Sequence, residues 1–296
     1  MSKARQILMG QFYMVQRRCA QRQLLMRPDD ETNNAFTYCL AVAANRFRIE
    51  VILPIAEPNH HHTIFFDRYG NFPLFLEYFH KLFARSQNRL RGRWENFWAA
   101  GECCVVRLLD PETVIAKIVY AATNPVKDLL VERVHHWPGV NGYTALMSGR
   151  PLTAKRPRHF FRKKGPMPET ATLHLTIPPE LGERAAVLEQ VRAGVLEVER
   201  RVAQERQTTG ARVLGRRGVL AQSWRTIPAS VEPRRNLRPR FAGSLVNRMT
   251  ALLEYRSFLA AYRAAREKWL AGLPAAFPIG TYWLARFAAV PIVSAA

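Results

Sequence analysis

Residues 50–66 read EVILPIAEPNHHHTIFF. Apolar and β-branched residues fill both flanks, and Glu57-Pro58-Asn59 between them is a turn. Two strands, Glu50–Ala56 and His60–Phe66, therefore form a hairpin. Pro54 has no N–H to give a ladder, which places its strand at an edge or a bulge. Working outward, residues 10–16 (GQFYMVQ) read as a strand ending at Arg17-Arg18. Apolar Phe36, Cys39, Leu40, Ala43 and Phe47 recur at helical spacing, which predicts a helix from Thr32, its N-cap, to Phe47. After the hairpin, Phe75, Tyr78, Phe79, Leu82, Phe83 and Leu90 line one side of a helix over Asn71–Leu90, with Gly92 as its stop. Gly101–Leu108 is a fourth strand. Asp110-Pro111-Glu112 opens a further helix, which must end near Asn124 because Pro125 pushes its predecessor out of the α region. Strand, helix, strand, strand, helix, strand, helix is the order of a ferredoxin-like α+β layer, an antiparallel sheet with helices on one face.

Charge divides the chain of 296 residues. Residues 1–149 carry 18 basic and 13 acidic side chains and residues 150–296 carry 26 and 10, so the second part holds +16 of the net +21. Most of that excess is Arg, whose planar fork suits phosphate. The field favours a polyanion, nucleic acid above all; a solubilising surface or an anionic membrane are the plainer alternatives. With 48% hydrophobic residues the chain can build a core. No apolar run of about 18 residues is present, so no membrane span is expected. The first residues lack a secretory pattern, and four irregularly placed cysteines make no disulfide framework. A cytoplasmic, nucleoid-associated protein is expected. Three parts are expected: a catalytic domain over 1–149, a basic Pro-rich linker over 150–170, and a basic, mostly helical DNA-binding extension over 171–296. In that extension, a charged helix is predicted over Glu180–Gln207 and a second helix, whose Leu245, Met249, Leu252, Leu259, Tyr262 and Trp269 are expected to pack, over about Ser244–Leu270.

Along a strand, residues two apart share a face, so His60 and His62 project together and His61 projects away. Two such imidazoles can bite one divalent cation, although lone histidines are more often surface or core residues. The triplet leaves the ligand pair open, and His61 is most simply a surface residue. On the helix from Asp110, Val114, Ile115, Ile118, Val119 and Ala122 form the core stripe, with Tyr120 nearly opposite and Asn124 one turn on. Tyr120 is then an ordinary surface residue or a working hydroxyl. Trp94, Phe97 and Trp98 either stack bases, with Arg91 and Arg93 on phosphates, or pack the flank of the sheet. Arg17 and Arg18 either line a nucleic-acid path or are simply solvated. Cys103 and Cys104 point to opposite faces and read as structural. Arg216, Arg217, Trp224, Arg225, Arg234 and Arg235 make either a backbone-binding arm that orders on DNA or a solvated tail.

The combination PNHHH (residues 58–62) and, 58 residues beyond His62, YAATNPVKDLLVE (residues 120–132) resembles the REP-associated tyrosine transposase group of single-tyrosine HUH transposases. FYMVQRRCAQRQLLMRPDDETNNAFTYCLA, RLRGRWENFWA and VERVHHWPGVNGY are similar to the same family, so the resemblance covers about residues 10–145. The family has an apolar residue between its histidines, where this chain has His61, and often one before the Pro-Asn pair, where this chain has Glu57. The resemblance implies His60, His62 and Asn124 as metal ligands, Mg²⁺ or Mn²⁺ as the ion, and Tyr120 as nucleophile. It further implies cleavage of single-stranded or hairpin DNA through a 5′-phosphotyrosine that a 3′-OH later reverses. A non-catalytic DNA-binding protein of the same fold is the rival reading and a basic RNA-binding protein a more distant one; a monomer and a homodimer are both compatible with the sequence.

Overall fold

Aspartate carboxylates start the first three long helices of this chain. In the computed structural model, which describes residues 4–101, 103–229 and 239–293, β1 (Gln11–Arg18) leads to α1 (Asp30–Phe47), where Asp29 accepts a hydrogen bond from Thr32 N at 2.9 Å. The cap is thus Asp29 rather than Thr32. β2 (Glu50–Ala56) and β3 (His60–Asp67) form the expected hairpin. The Asp67 carboxylate then accepts from Asn71 N and Phe72 N, at 2.9 and 2.8 Å, and caps α2 (Phe72–Arg91). Gly92, at φ +63°, ends α2 in the left-handed region that a side chain would resist. β4 (Cys104–Leu108) follows, then Asp110, whose side chain caps α3 (Pro111–Ala122) through Thr113 N. Thr123 Oγ1 donates to the carbonyl of Val119, and Pro125 in the one-turn α4 (Asn124–Lys127) prevents continuation.

The main sheet has the order β2-β3-β1-β4, with β1 antiparallel to both β3 and β4. Pro54 sits on the edge strand β2, next to a register shift between Val51 and Leu53, as its missing donor requires. α1 and α2 cover one face. His61 on β3 meets Phe36 of α1 and Phe79 of α2 at ring distances of 5.6 and 5.5 Å. α3 lies on the opposite face, where Tyr120 stands 5.9 Å from the ring of His62. The α+β layer with its antiparallel sheet is as expected, but the helices are not confined to one face: α1 and α2 cover the side of His61, and α3 buries its apolar Val114 and Ile118 on the side of His62.

His61 is fully buried rather than on the surface. Its Nε2 lies 3.0 Å from His80 Nε2 and its Nδ1 3.2 Å from Thr63 Oγ1. Burial in this aromatic nest, with His61 and Arg17 nearby, holds His80 neutral well below the usual imidazole range.

The expected spacer over 150–170 is part of the fold. α5 (Gly142–Ser148) runs into β5 (Leu152–Lys155), which pairs with β6 (Thr170–Leu173). Ala154, Ala171 and Leu173 are buried against α1, and the Asn34 and Asn45 side chains of α1 donate to the carbonyls of Lys155 and Thr172. Proline and charge obscured this alternation of small apolar residues. α6 (Arg184–Thr209) buries Val187, Val191, Val195 and Val202. It crosses α3 so closely at Gly194 that an added Cβ would lie 2.7 Å from Val119 Cγ2. α7 (Gly215–Ala221) buries Val219, β7 (Phe241–Ala242) extends the sheet in parallel beside β4, and α8 (Leu245–Leu270) and α9 (Trp283–Phe287) follow. Asp110 also accepts from Ser244 N and Asn247 Nδ2, tying α8 to the start of α3. One continuous core runs from Ile7 to Val219.

Two outcomes follow from this packing. A fragment of residues 1–149 loses the partners of α1 and α3 and is expected to show no cooperative thermal transition by circular dichroism, whereas the full chain does; a sharp melt of the fragment would contradict the shared core. His80 is neutral when folded but takes a proton near pH 6.5 when unfolded. The unfolded state thus binds more protons, so stability is complete above about pH 7 and declines as pH falls below about 6.5. Urea midpoints against pH are expected to show this decline, and a shallower one in His80→Phe.

Candidate active site

The turn between β2 and β3 closes on Glu57, whose N–H donates to the carbonyl of His60 at 2.8 Å. That turn brings the Glu57 carboxylate beside the two imidazoles that β3 aims at the same face. One ligand atom from each of Glu57, His60 and His62 lies within 4.8 Å of the others. His60 Nε2 is 3.7 Å from Glu57 Oε1. Its Nδ1 is 2.8 Å from Asn59 Oδ1, and because that oxygen can only accept, Nδ1 carries the proton and Nε2 offers its lone pair. Both ring nitrogens of His62 and Glu57 Oε1 are buried without a hydrogen-bond partner. Such orphaned groups are costly, and a carboxylate with two neutral imidazoles is a donor set that fits a divalent transition ion.

Electrostatics agree. Burial first, then the Arg18 charge, lowers His60 to about 4. Burial and the neighbouring histidines hold His62 well below its ordinary value. Both are therefore neutral ligands near pH 7. Burial, then the adjoining Asp128 carboxyl, raises Glu57 well above the usual carboxylate range, opposed by the Asn124 amide and Lys127. A cation here would relieve all three groups together.

Tyr120 faces this cluster from α3, with its ring edge-on to His62 and 45% of its surface exposed. Lys127 Nζ sits 3.6 Å from the centre of the tyrosine ring and donates to the Tyr120 carbonyl at 3.0 Å; Lys117 Nζ is 5.3 Å from the same ring. Burial, then Glu57 and Asp128, raises the phenol, while a hydrogen bond from Asn124 works against the rise. Asn124 is buried, and its amide lies close enough to Tyr120 and Glu57 to act on both. The carboxylate of Glu57 groups with the two imidazoles, and the Asn124 amide adjoins that carboxylate. By sequence Glu57 reads only as part of a turn. The signal that could have found it is an acid three residues before His60 and five before His62, across a turn that folds back onto their strand.

The expected nucleic-acid contacts separate. Arg18 pairs across the sheet with His60 and shares its face, whereas Arg17 pairs with His61 and lies over Trp98 at 5.2 Å on the other face. Arg91 is committed to the start of α1, with its Nη2 2.6 Å from Asp29 and 2.8 Å from Thr32 Oγ1, which corrects its assignment to phosphate. Arg93 donates to Gln23 Oε1 at 3.1 Å. Phe97 and Trp98 are buried in the flank of the sheet, while Trp94 is 88% exposed. Arg216 and Arg217 are exposed on α7. Trp224 is stacked between Arg91 and Arg225, and the Thr226 carbonyl accepts from Leu24 N, so residues up to 226 are docked rather than a free arm. Arg234 and Arg235 lie outside the described residues. The four cysteines are free, and among the described residues no helix is long and apolar enough to cross a membrane.

A ferredoxin-like sheet with a carboxylate–imidazole cluster at one end and a tyrosine facing it from the following helix is the class these features define. No protein-family model and no curated protein matches the chain. It is similar to the solved structure of a REP-associated tyrosine transposase bound to a REP hairpin, at 16% identity and a TM-score of 0.42, over 55% of this chain and 89% of that one.

If Glu57 is a ligand, Glu57→Gln should weaken Mn²⁺ binding by at least about tenfold, the usual scale for removal of a group that holds or orients a metal. Asn124→Ala should leave it within a few-fold. Isothermal titration with Mn²⁺ checks both, and the reverse ranking would return the third ligand place to Asn124.

Proposed function

We propose that this chain cleaves and rejoins single-stranded DNA, beside a hairpin, with Tyr120 as the nucleophile. The observation that carries the reading is the pairing of Tyr120 with buried, unpartnered ligand atoms of His62 and Glu57 on the same face of the sheet. Support for DNA comes from the net charge of +21 and from the motif pair PNHHH and YAATNPV.

Glu57, His60 and His62 would hold a divalent ion, Mn²⁺ in preference to Mg²⁺ given two nitrogen donors. Such an ion, when bound, polarises the scissile phosphate and offsets the charge that develops there. The protein's own groups do the rest. Asn124 fixes the hydroxyl of Tyr120, and the Lys127 ammonium against the ring restrains its plane. The phenol oxygen attacks phosphorus, its proton leaves to water at the half-exposed edge, and the bond to the 3′ oxygen breaks, that oxygen taking a proton from water to give a free 3′-OH. The new phosphotyrosine remains a diester, so its energy is conserved for attack by a second 3′-OH.

End-labelled hairpin DNA with Mn²⁺ is expected to yield a covalent protein–DNA adduct resolvable by denaturing electrophoresis. Tyr120→Phe should abolish the adduct with folding and DNA affinity unchanged, since only a hydroxyl is removed. An adduct of undiminished yield in that variant would overturn the assignment.

A further inference from the structure

The segment joining β5 to β6, residues 156–169, reads RPRHFFRKKGPMPE and lies beyond the stretch that carries the motif resemblance. Its aromatic residues point inward. Phe161 packs on Tyr38 at 5.3 Å, Phe160 lies against Arg85 at 5.7 Å, His159 Nε2 meets Ser86 Oγ at 3.0 Å, and Tyr38 Oη donates to the Pro168 carbonyl at 2.6 Å. Arg156 donates to the carbonyls of Met167 and Lys163, each at 2.7 Å, and so ties the two limbs of the loop together. The remaining cations, Arg158, Arg162, Lys163 and Lys164, are turned to solvent. A cleft of about 690 Å³ opens between the limbs, lined by Lys155, Arg156, Arg158, Lys163 and Phe161, with Glu169 the acid at its wall.

The position of this loop matters as much as its charge. Lys155 is bonded to Asn34 in the second turn of α1, and His159 to Ser86 in the last third of α2. α1 starts, and α2 ends, at the end of the sheet where β1 finishes and β3 begins, for Asp29 holds Arg91 and the Pro58 carbonyl accepts from Met26 N. The loop therefore rises beside the end of the sheet that bears Glu57, His60 and His62, but from the α1–α2 face.

We infer that the 156–169 loop is a phosphate-binding clamp for the duplex part of the DNA whose single-stranded part enters the tyrosine site. This rests on the proposed function and adds to it a surface and the portion of the substrate that the surface holds. A loop anchored by partly buried aromatics and by Arg156 loses less freedom when its cations meet phosphates than a free arm would, and contacts to backbone alone fix the register of a duplex without reading its sequence. Acting on the stem, the loop would set how far the cleavage point lies from the hairpin.

The test uses the full chain carrying R158Q, R162Q, K163Q and K164Q together, all at exposed positions, with an unchanged melting temperature as the check on folding. Against a hairpin with a single-stranded flank, the plot of log affinity against log salt should flatten by about 0.9 for each phosphate no longer neutralised, or about 2 to 4 in all. Affinity for the flank alone, as a short oligonucleotide, should be unchanged, and so should the adduct yield at saturating DNA. Unchanged hairpin affinity and salt slope would overturn the clamp. So would a loss confined to RNA hairpins or to anionic vesicles, which would reassign the loop to those partners. Absence of any adduct in the unsubstituted protein would overturn the tyrosine chemistry while leaving the difference in hairpin affinity to decide the clamp.

Discussion

Three consecutive histidines lie on one strand, and the two-residue period of that strand divides them. His61 enters the face covered by α1 and α2, where Phe36, Phe79, Trp98 and His80 enclose it. His60 and His62 are thereby forced to the other face, beneath α3. A shift of one residue in register would expose the core histidine and bury the pair in the wrong layer. That shift is opposed on both sides of β3: His62 pairs with Gln16 of β1 and with Ile55 of β2. The geometry of the candidate ligand cluster is thus a consequence of core packing on the reverse side of the sheet.

Burial then gives the site its chemistry. Glu57 and His62 are almost completely shielded from water, yet His62 makes no hydrogen bond and Glu57 leaves one oxygen unpartnered. Desolvation raises the acid and lowers the imidazoles, so each is driven toward its neutral form. A divalent ion bound here would reverse the first effect and make use of the second. The half-exposed tyrosine differs: it keeps contact with solvent on one side while Asn124, Lys127 and His62 hold it on the other. The α3–α6 crossing at Gly194 supports this arrangement from outside, because α3 is clamped between the sheet and α6.

Much of this was legible in the sequence because it depends on local periodicity. The hairpin at Glu50–Phe66, the stripe of α2 and the Asp110-Pro111 start of α3 all carry short-range signals, and the structure has them within a few residues. The division of His60 and His62 from His61 was also legible, but its reason was not: whether the middle residue meets water or core depends on which helices cover which face. Glu57 was hidden for a related reason, since a turn residue becomes a neighbour of β3 only once the chain folds back. Over 150–170, proline and Arg outweighed the weak alternation of Leu152, Ala154, Ala171 and Leu173, and strands that short are specified by their packing on α1 rather than by their own propensity.

Strand alternation would give one ion two imidazole ligands and leaves the middle histidine in the core. Pulsed electron paramagnetic resonance of the Mn²⁺-loaded protein measures this directly through nitrogen hyperfine couplings. Two coordinated imidazole nitrogens are expected, falling to one in His60→Ala and in His62→Ala, while His61→Gln retains both. A coupling that disappears with His61, or no nitrogen coupling at all, would contradict the account.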